Sequence, residues 1–304
     1  MPVGELAGLA SALVWACNST LLRWLAPRAD VVVLNALRCA IATLLLFAAL
    51  LALGRVDALD DLPVRGTLLL LASVVVGVGL GDSLYFHALR LVGVARAQPI
   101  SMSYPLFTTM LAITLLGEQL SWGALAGIVL VVLGVSLVAT AQVRVPTSTA
   151  AVSGKRLMLT GRELRWGAAL ALAAGLCWAI GTTLLRPALE GVDLWIATTV
   201  RMLGAAVVLQ LYAARHMPAV RRVARDSRPF AVGVLWLGVG TAVSLSLFLV
   251  SVAHAGAARA SALSSAAPLF GVPLAALLLR EPVGWRLALG AAITVGGVWL
   301  LVLH

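Results

Sequence analysis

Ala95-Arg96-Ala97, Pro105-Leu106-Phe107, Glu118 and Trp122 form a pattern that the chain spells twice. Ala258-Arg259-Ala260, Pro268-Leu269-Phe270, Glu281 and Trp285 repeat it with the same internal spacing. The displacement that relates the two copies also carries Trp15-Ala16 onto Trp178-Ala179, Thr20-Leu21-Leu22-Arg23 onto Thr183-Leu184-Leu185-Arg186, and Arg38 onto Arg201. One displacement serving distant segments means that the halves differ by almost no net insertion. The chain is therefore a tandem duplication of a unit of about 140 residues, far longer than the roughly 20 to 50 residues of a solenoid repeat.

Composition places that unit in a bilayer. Of the 304 residues 62% are hydrophobic and 11% charged, and the mean hydropathy is +1.04, too little polar surface to clothe a soluble globule of this size. The net charge of +10 comes from Arg residues that fall between apolar runs, the pattern of a positive-inside membrane protein and not of a nucleic-acid-binding face. Cys17, Cys39 and Cys177 lie inside apolar runs without metal-ligand spacing and read as reduced packing residues. The first apolar run lacks a basic leader and its copy sits mid-chain, so it reads as a structural span and not as a signal peptide.

A membrane-spanning helix needs about 20 largely apolar residues. Ten stretches qualify: 4–26, 31–53, 66–88, 94–116, 121–142, 165–188, 194–214, 229–251, 257–279 and 284–303. The fold class expected is an all-α membrane protein of ten transmembrane helices, with one five-helix repeat at 1–143, a polar linker at 144–164 and a second repeat at 165–304. The linker holds Pro146-Thr147-Ser148-Thr149 and Lys155-Arg156. Five spans is an odd number, so the second half enters the membrane from the side opposite to the first, and duplication becomes an inverted repeat. Charge agrees. The connection holding Arg55 and Arg65 also holds Asp57, Asp60 and Asp61, whereas its copy holds Arg215, Arg221, Arg222, Arg225 and Arg228 against Asp226 alone. The Arg and Lys excess follows the odd-numbered spans, which puts both termini outside.

These residues resemble the ten-span EamA-type members of the drug/metabolite transporter superfamily. The resemblance covers nearly the whole chain: Arg38 and Arg201 early in each second helix, the Ala-Arg-Ala opening of each fourth helix, its central Pro, and the Gly117-Glu118 close, which departs to Arg280-Glu281 in the second copy. It implies a secondary transporter of a class whose members often export amino acids, metabolites or drugs, with some exchanging nucleotide sugars or phosphorylated sugars.

Several residues are candidates for the work. Pro99 and Pro105, with Pro268 and Pro273 in the other half, each remove a backbone donor, and broken helices at equivalent places in inverted halves point to a central binding site. The other reading is that they only curve their helices. Ser101, Ser103 and Tyr104, and Ser261, Ser264 and Ser265, lie beside those prolines and either contact a polar solute or bond a carbonyl one turn back. Trp15 with Asn18 and Ser19, and Trp178 with Thr182 and Thr183, share helical faces suited to a cavity wall or, alternatively, to a lipid-facing stripe. Arg38 and Arg201 either grip an anionic substrate or brace the structure through carbonyls or through Glu118 or Glu281. Asp82 is the one acidic residue well inside an apolar run, and its copy is Leu245, so symmetry does not explain it. A proton carrier, a partner for a cationic substrate and a salt-bridged structural Asp are its three readings. Arg96 and Arg259 are expected to snorkel to headgroups, and Glu118 and Glu281 to cap the next helix. His87 and His254 fall at span ends and read as interfacial. Gly77, Gly79 and Gly81 lack the strand and lysine of a nucleotide loop and read as sites of close helix approach; Gly123, Gly127 and Gly134 against Gly290 and Gly297 predict that the fifth and tenth spans pack together.

The function expected is a monomeric secondary transporter that exports a small organic solute, amino-acid-like or drug-like, by alternating access across the plasma membrane, the inner membrane of a bacterium. Protons are the coupling ion considered, membrane lipid is the other partner, and no cofactor, metal or nucleic acid is implied. With no phosphate-binding loop, ATP is not its direct energy source. A lipid-carrier flippase and an intramembrane enzyme on a lipid-linked substrate are the alternatives; the enzyme lacks HExxH, CxxC or paired intramembrane carboxylates.

Overall fold

A computed structural model of the chain describes residues 3–25, 31–59, 62–92, 97, 100–141, 161–214, 228–267, 269–270 and 285–303. The described residues form helices and no strand. In chain order these are α1 (Val3–Leu25), α2 (Val31–Ala52), α3, α4 (Tyr104–Leu116), α5 (Trp122–Ala141), α6 (Gly161–Ala188), α7 (Leu194–Ala214), α8 (Arg228–Ser265) and α9 (Trp285–Leu303). The rod α3 is continuous but changes pitch, α-helical over Val64–Val74, π-helical over Val75–Gly81 and α-helical again over Asp82–Val92. Six of these helices are long and apolar enough to cross a hydrocarbon core, and three shorter apolar helices accompany them. The protein is a multi-pass membrane protein.

Nine helices are counted among the described residues where ten spans are expected. The difference lies in α8, whose 38 residues take in the expected eighth span and the opening of the ninth. Gly256 interrupts it at φ 86° and ψ 167°, a conformation open to glycine and strained for side-chain-bearing residues. Residues 271–279 of the ninth span lie outside the described residues, as do Pro99, Pro268, Pro273 and Glu281. Pro105 does not kink a helix. It is the second residue of α4, where a missing N–H would have no partner in any case, and a turn at Met102 and Ser103 precedes it.

The break at Gly256 leaves backbone groups exposed on both sides, and charged side chains from elsewhere satisfy them. Glu118, in the turn after α4, accepts from the amides of Ala257 (2.7 Å) and Ala258 (3.3 Å). Arg186, near the end of α6, donates to the carbonyls of Val252 (3.0 Å) and Ala253. An anion at a helix start and a cation at a helix end both suit the helix dipole. Glu118 therefore does not cap the helix that follows it in sequence, as expected, but one in the other half. A Cβ at Gly256 would sit 2.8 Å from its carboxylate.

The halves interleave. α1 packs along α8 and α3 along α6, the same pairing with the copies exchanged, while α2 meets its own copy α7 and α5 its own copy α9. The core follows: Ala124, Ile128 and Val131 join Val298 and Leu301, and Ala36, Cys39 and Ala42 join Met202 and Ala205. Neither half closes a core alone. Along α5 and α9 glycines bring the backbones together, as the small-residue stripes predict: a Cβ on Gly127 would lie 2.8 Å from the Gly297 carbonyl oxygen, and one on Gly297 2.7 Å from that of Gly127. Trp122 and Trp285, equivalent residues at helix starts, are 88% and 70% exposed and suit the membrane interface.

Gly127→Leu should lower the thermal midpoint of purified protein, with a loss of about 1–3 kcal/mol from overpacking; an unchanged midpoint would mean that the close approach is not structural. Glu118→Ala should cost a similar amount, on the order of 1–3 kcal/mol, by stripping two buried amides of their acceptor. Amide hydrogen exchange at Ala257 and Ala258 checks it: unaltered protection there would rule the carboxylate out as their cap.

Candidate functional site

The site begins with the pitch change in α3. A π-helical turn widens the rod over Val75–Gly81 and delivers Asp82 at its end, a type of irregularity that recurs at functional sites. Glycines let α6 press against this widened stretch. A Cβ on Gly181 would lie 2.8 Å from the Ser73 carbonyl oxygen, and one on Gly81 2.9 Å from Cδ1 of Trp178. Gly81 thus permits close approach, as expected; a Cβ on Gly77 or Gly79 would meet its nearest neighbour only at an ordinary 4.0 or 3.7 Å.

That approach sets the Trp178 indole beside Asp82, and Nε1 donates to Oδ1 over 2.9 Å. Two more rings meet the indole: Tyr85 at 5.2 Å between centroids and tilted 57°, and Tyr104 at 6.1 Å edge-on, 83°. The Tyr104 hydroxyl donates to the Ser261 carbonyl at 3.0 Å, tying α4 to the limb beyond Gly256. Asp82 and Tyr85 come from the third span, Tyr104 from the fourth and Trp178 from the sixth. The cluster therefore straddles both halves.

Neither Arg38 nor Arg201 forms an ion pair with Asp82 among the described residues. Their surroundings differ. Arg38 donates from Nε to Asn35 Oδ1 at 2.6 Å and lies 5.0 Å over the ring of Trp15. Arg201, 8% exposed, donates from Nε to Ser73 Oγ at 3.3 Å, and its buried Nη1 has no partner among the described residues. Neither arginine braces Glu118, which is bonded to backbone amides instead.

The other predicted residues divide. Asn18 is buried and reaches the Leu237 carbonyl (3.4 Å) and Thr241 Oγ1 (3.3 Å), a bond between α1 and α8. Ser19 bonds the Trp15 carbonyl and Ser265 that of Ala262, each within its own helix. Ser101 and Thr182 are buried. Ser264 Oγ is buried with no partner among the described residues. His87 and His254 are exposed, and Cys17, Cys39 and Cys177 are free thiols. Arg259 corrects an expectation: it pairs with Glu5 at 3.3 Å, and Glu5 is 2% exposed, so it is held within the bundle and does not reach for headgroups. Arg96 lies outside the described residues.

Three participants were missed in the sequence. Tyr85 had a signal, standing three residues after Asp82 on the same helical face. Ser73 and Glu5 had none, because their roles depend on which helices cross. A shallow open groove of about 500 Å³ runs between α2 and α7, lined by apolar groups of Ala40, Leu44, Leu203 and Val207 with Thr43 and Gln210.

A model of the EamA-like transporter family matches residues 2–140 and 165–303. A curated relative from Archaeoglobus fulgidus, described as an uncharacterized transporter, is 24% identical over 251 residues, 81% of this chain and 81% of its own. A solved crystal structure is similar with a TM-score of 0.80 over 99% of this chain and 96% of its own at 20% identity, a likeness of fold.

Trp178→Phe keeps a ring but removes the indole donor to Asp82, and should cost about 1–3 kcal/mol. A thermal-melting cycle with Asp82→Asn measures the pair; a coupling energy of zero would show that the bond contributes nothing.

Proposed function

The chain belongs to the EamA-like transporter family, and from that premise we propose that it is a secondary transporter exporting a small organic solute, amino-acid-like or drug-like, across the plasma membrane by alternating access. Family and relative alike point to a membrane transporter rather than an enzyme. The observation that carries the finer reading is the Asp82–Trp178 bond, a carboxylate from one half held by an indole from the other. Arg38 and Arg201, again one from each half, lie within its electrostatic reach. A polar cluster assembled across two halves changes shape whenever the halves move against each other. That is the property alternating access requires.

The protein works as a monomer of two inverted five-helix units, 1–143 and 165–304, joined by the linker at 144–164. Trp15, Ser101, Tyr104, Trp178 and Thr182 contribute to the wall of the chamber. Protons couple the movement through Asp82, the carboxylate at the junction. The groove between α2 and α7 favours a second reading, movement of a lipid carrier, because it opens sideways and is apolar. It contains neither Asp82, Arg38 nor Arg201, and a lipid headgroup needs polar contacts along its route. The soluble solute is therefore the preferred cargo.

A thermal-shift screen of a metabolite library on purified protein should find stabilising solutes, and flux of the hits should follow in reconstituted vesicles. Asp82→Asn should abolish accumulation driven by a pH gradient while leaving solute binding measurable. Unchanged pH-driven accumulation in that variant would take Asp82 out of the coupling step.

A further inference from the structure

The duplication supplies an internal control for each arginine. Arg38 has two partners, Asn35 and Trp15. The copies of those residues in the second half are Thr198 and Trp178. Neither serves Arg201: Thr198 turns its hydroxyl onto the Leu194 carbonyl at 2.7 Å, and Trp178 directs its indole N–H to Asp82. The brace present in the first half has been dismantled in the second. What remains for Arg201 is Ser73 Oγ at 3.3 Å, with Nη1 buried and unpartnered among the described residues.

A guanidinium that is nine-tenths buried inside a membrane bundle, with a donor left over, is an expensive arrangement. A buried guanidinium N–H without an acceptor is one that an oxyanion could satisfy with a charge-assisted bond. Electrostatics of the cluster point the same way. Among the described residues neither Arg38 nor Arg201 forms an ion pair with Asp82, so no carboxylate is in direct contact with the Arg201 guanidinium. Asp82 in turn is occupied by Trp178, and Tyr85 and Tyr104 add ring surface beside the indole. That surface suits a flat apolar body attached to the charged group.

Resting on the transporter reading, we propose that Arg201 anchors an oxyanion of the transported solute through Nη1, so that the cargo is a small organic anion of the carboxylate class. Arg38, the symmetry-related residue, is the structural member of the pair. Asp82 plays two parts: it draws Trp178 away from Arg201, and it limits how much negative charge the site accepts.

The test uses the full-length protein in detergent with benzoate, benzamide, benzylamine, acetate and inorganic phosphate as probes. Benzoate should raise the melting temperature saturably and acetate more weakly, while benzamide and benzylamine, of similar shape without the negative charge, should not. Arg201→Gln should weaken benzoate binding by about tenfold or more, the loss expected for one charge-assisted bond, and should melt at or above the wild-type temperature because it removes a buried unpaired charge. Arg201→Lys should recover part of the binding. Failure of every anion to stabilise the protein, or equal stabilisation by benzamide, would overturn the proposal, as would undiminished benzoate binding in a folded Arg201→Gln variant. Vesicle flux separates this from the broader reading: movement of neutral or cationic solutes with anions inert would leave transport standing and end the anion assignment. Benzoate binding without flux of any solute would do the reverse.

Discussion

Backbone polar groups in hydrocarbon have no water to turn to, and each one left unsatisfied costs several kcal/mol. A helix can therefore stop inside a membrane only where other groups of the protein take over its hydrogen bonds. At Gly256 they do. Glu118 takes the amides that follow the break and Arg186 the carbonyls that precede it. The residues doing this belong to three different elements: the turn after α4, the end of α6 and α8 itself. Separating them would uncover charges and peptide groups together, so the break fixes how the halves sit on each other at this level. Everything else in the bundle is arranged around that junction, from α1 along the first limb of α8 to the Glu5–Arg259 pair beside the second.

Two kinds of contact join the halves, and they differ in stiffness. Along α5 and α9 the backbones approach closely at Gly127 and Gly297, and Ile128, Val131, Val298 and Leu301 pack around that contact. A contact of that kind resists sliding because any shift drives main-chain atoms together. Between α3 and α6 the same closeness at Gly181 is followed directly by polar and aromatic side chains. Hydrogen bonds there can exchange partners as the helices move. A bundle with a firm seam on one side and an exchangeable one on the other has a natural axis for rocking.

Much of this was readable from residues alone, and the boundary is physical. The duplication, the apolar runs and the glycine stripes are periodic features, and periodicity survives in a string of letters. Family membership follows from them. Partner choice does not. Glu118 was legible as a cap because it stands at a turn, but its target lies well over a hundred residues away across a fold-dependent crossing. Arg259 was placed at the membrane surface because its helix starts there; the buried Glu5 that holds it comes from the first turn of α1. The prolines mark interruption in both halves, and a turn at Met102 and Ser103 does precede Pro105; Pro268 and Pro273 lie outside the described residues, and the interruption described in the second half is at Gly256, a residue whose φ no sequence pattern announces.

Duplication gives a symmetric scaffold, whereas a solute has two unlike ends. Some residue must break the symmetry, and the place where it breaks should be where the solute is read. Asp82 opposite Leu245 is the sharpest such difference within the spans, and the π-helical turn that introduces Asp82 falls on the same stretch, while the corresponding stretch of α8 remains regular. One carboxylate then rearranges its neighbours in sequence: Trp178 leaves the position its copy Trp15 holds over Arg38, and Arg201 loses the ring that would have covered it. The energy spent on a buried, half-satisfied guanidinium is recovered only when something else completes its bonds. A scaffold repeated twice but charged unevenly at its junction is thus less stable than its symmetric form and better able to tell one end of a molecule from the other.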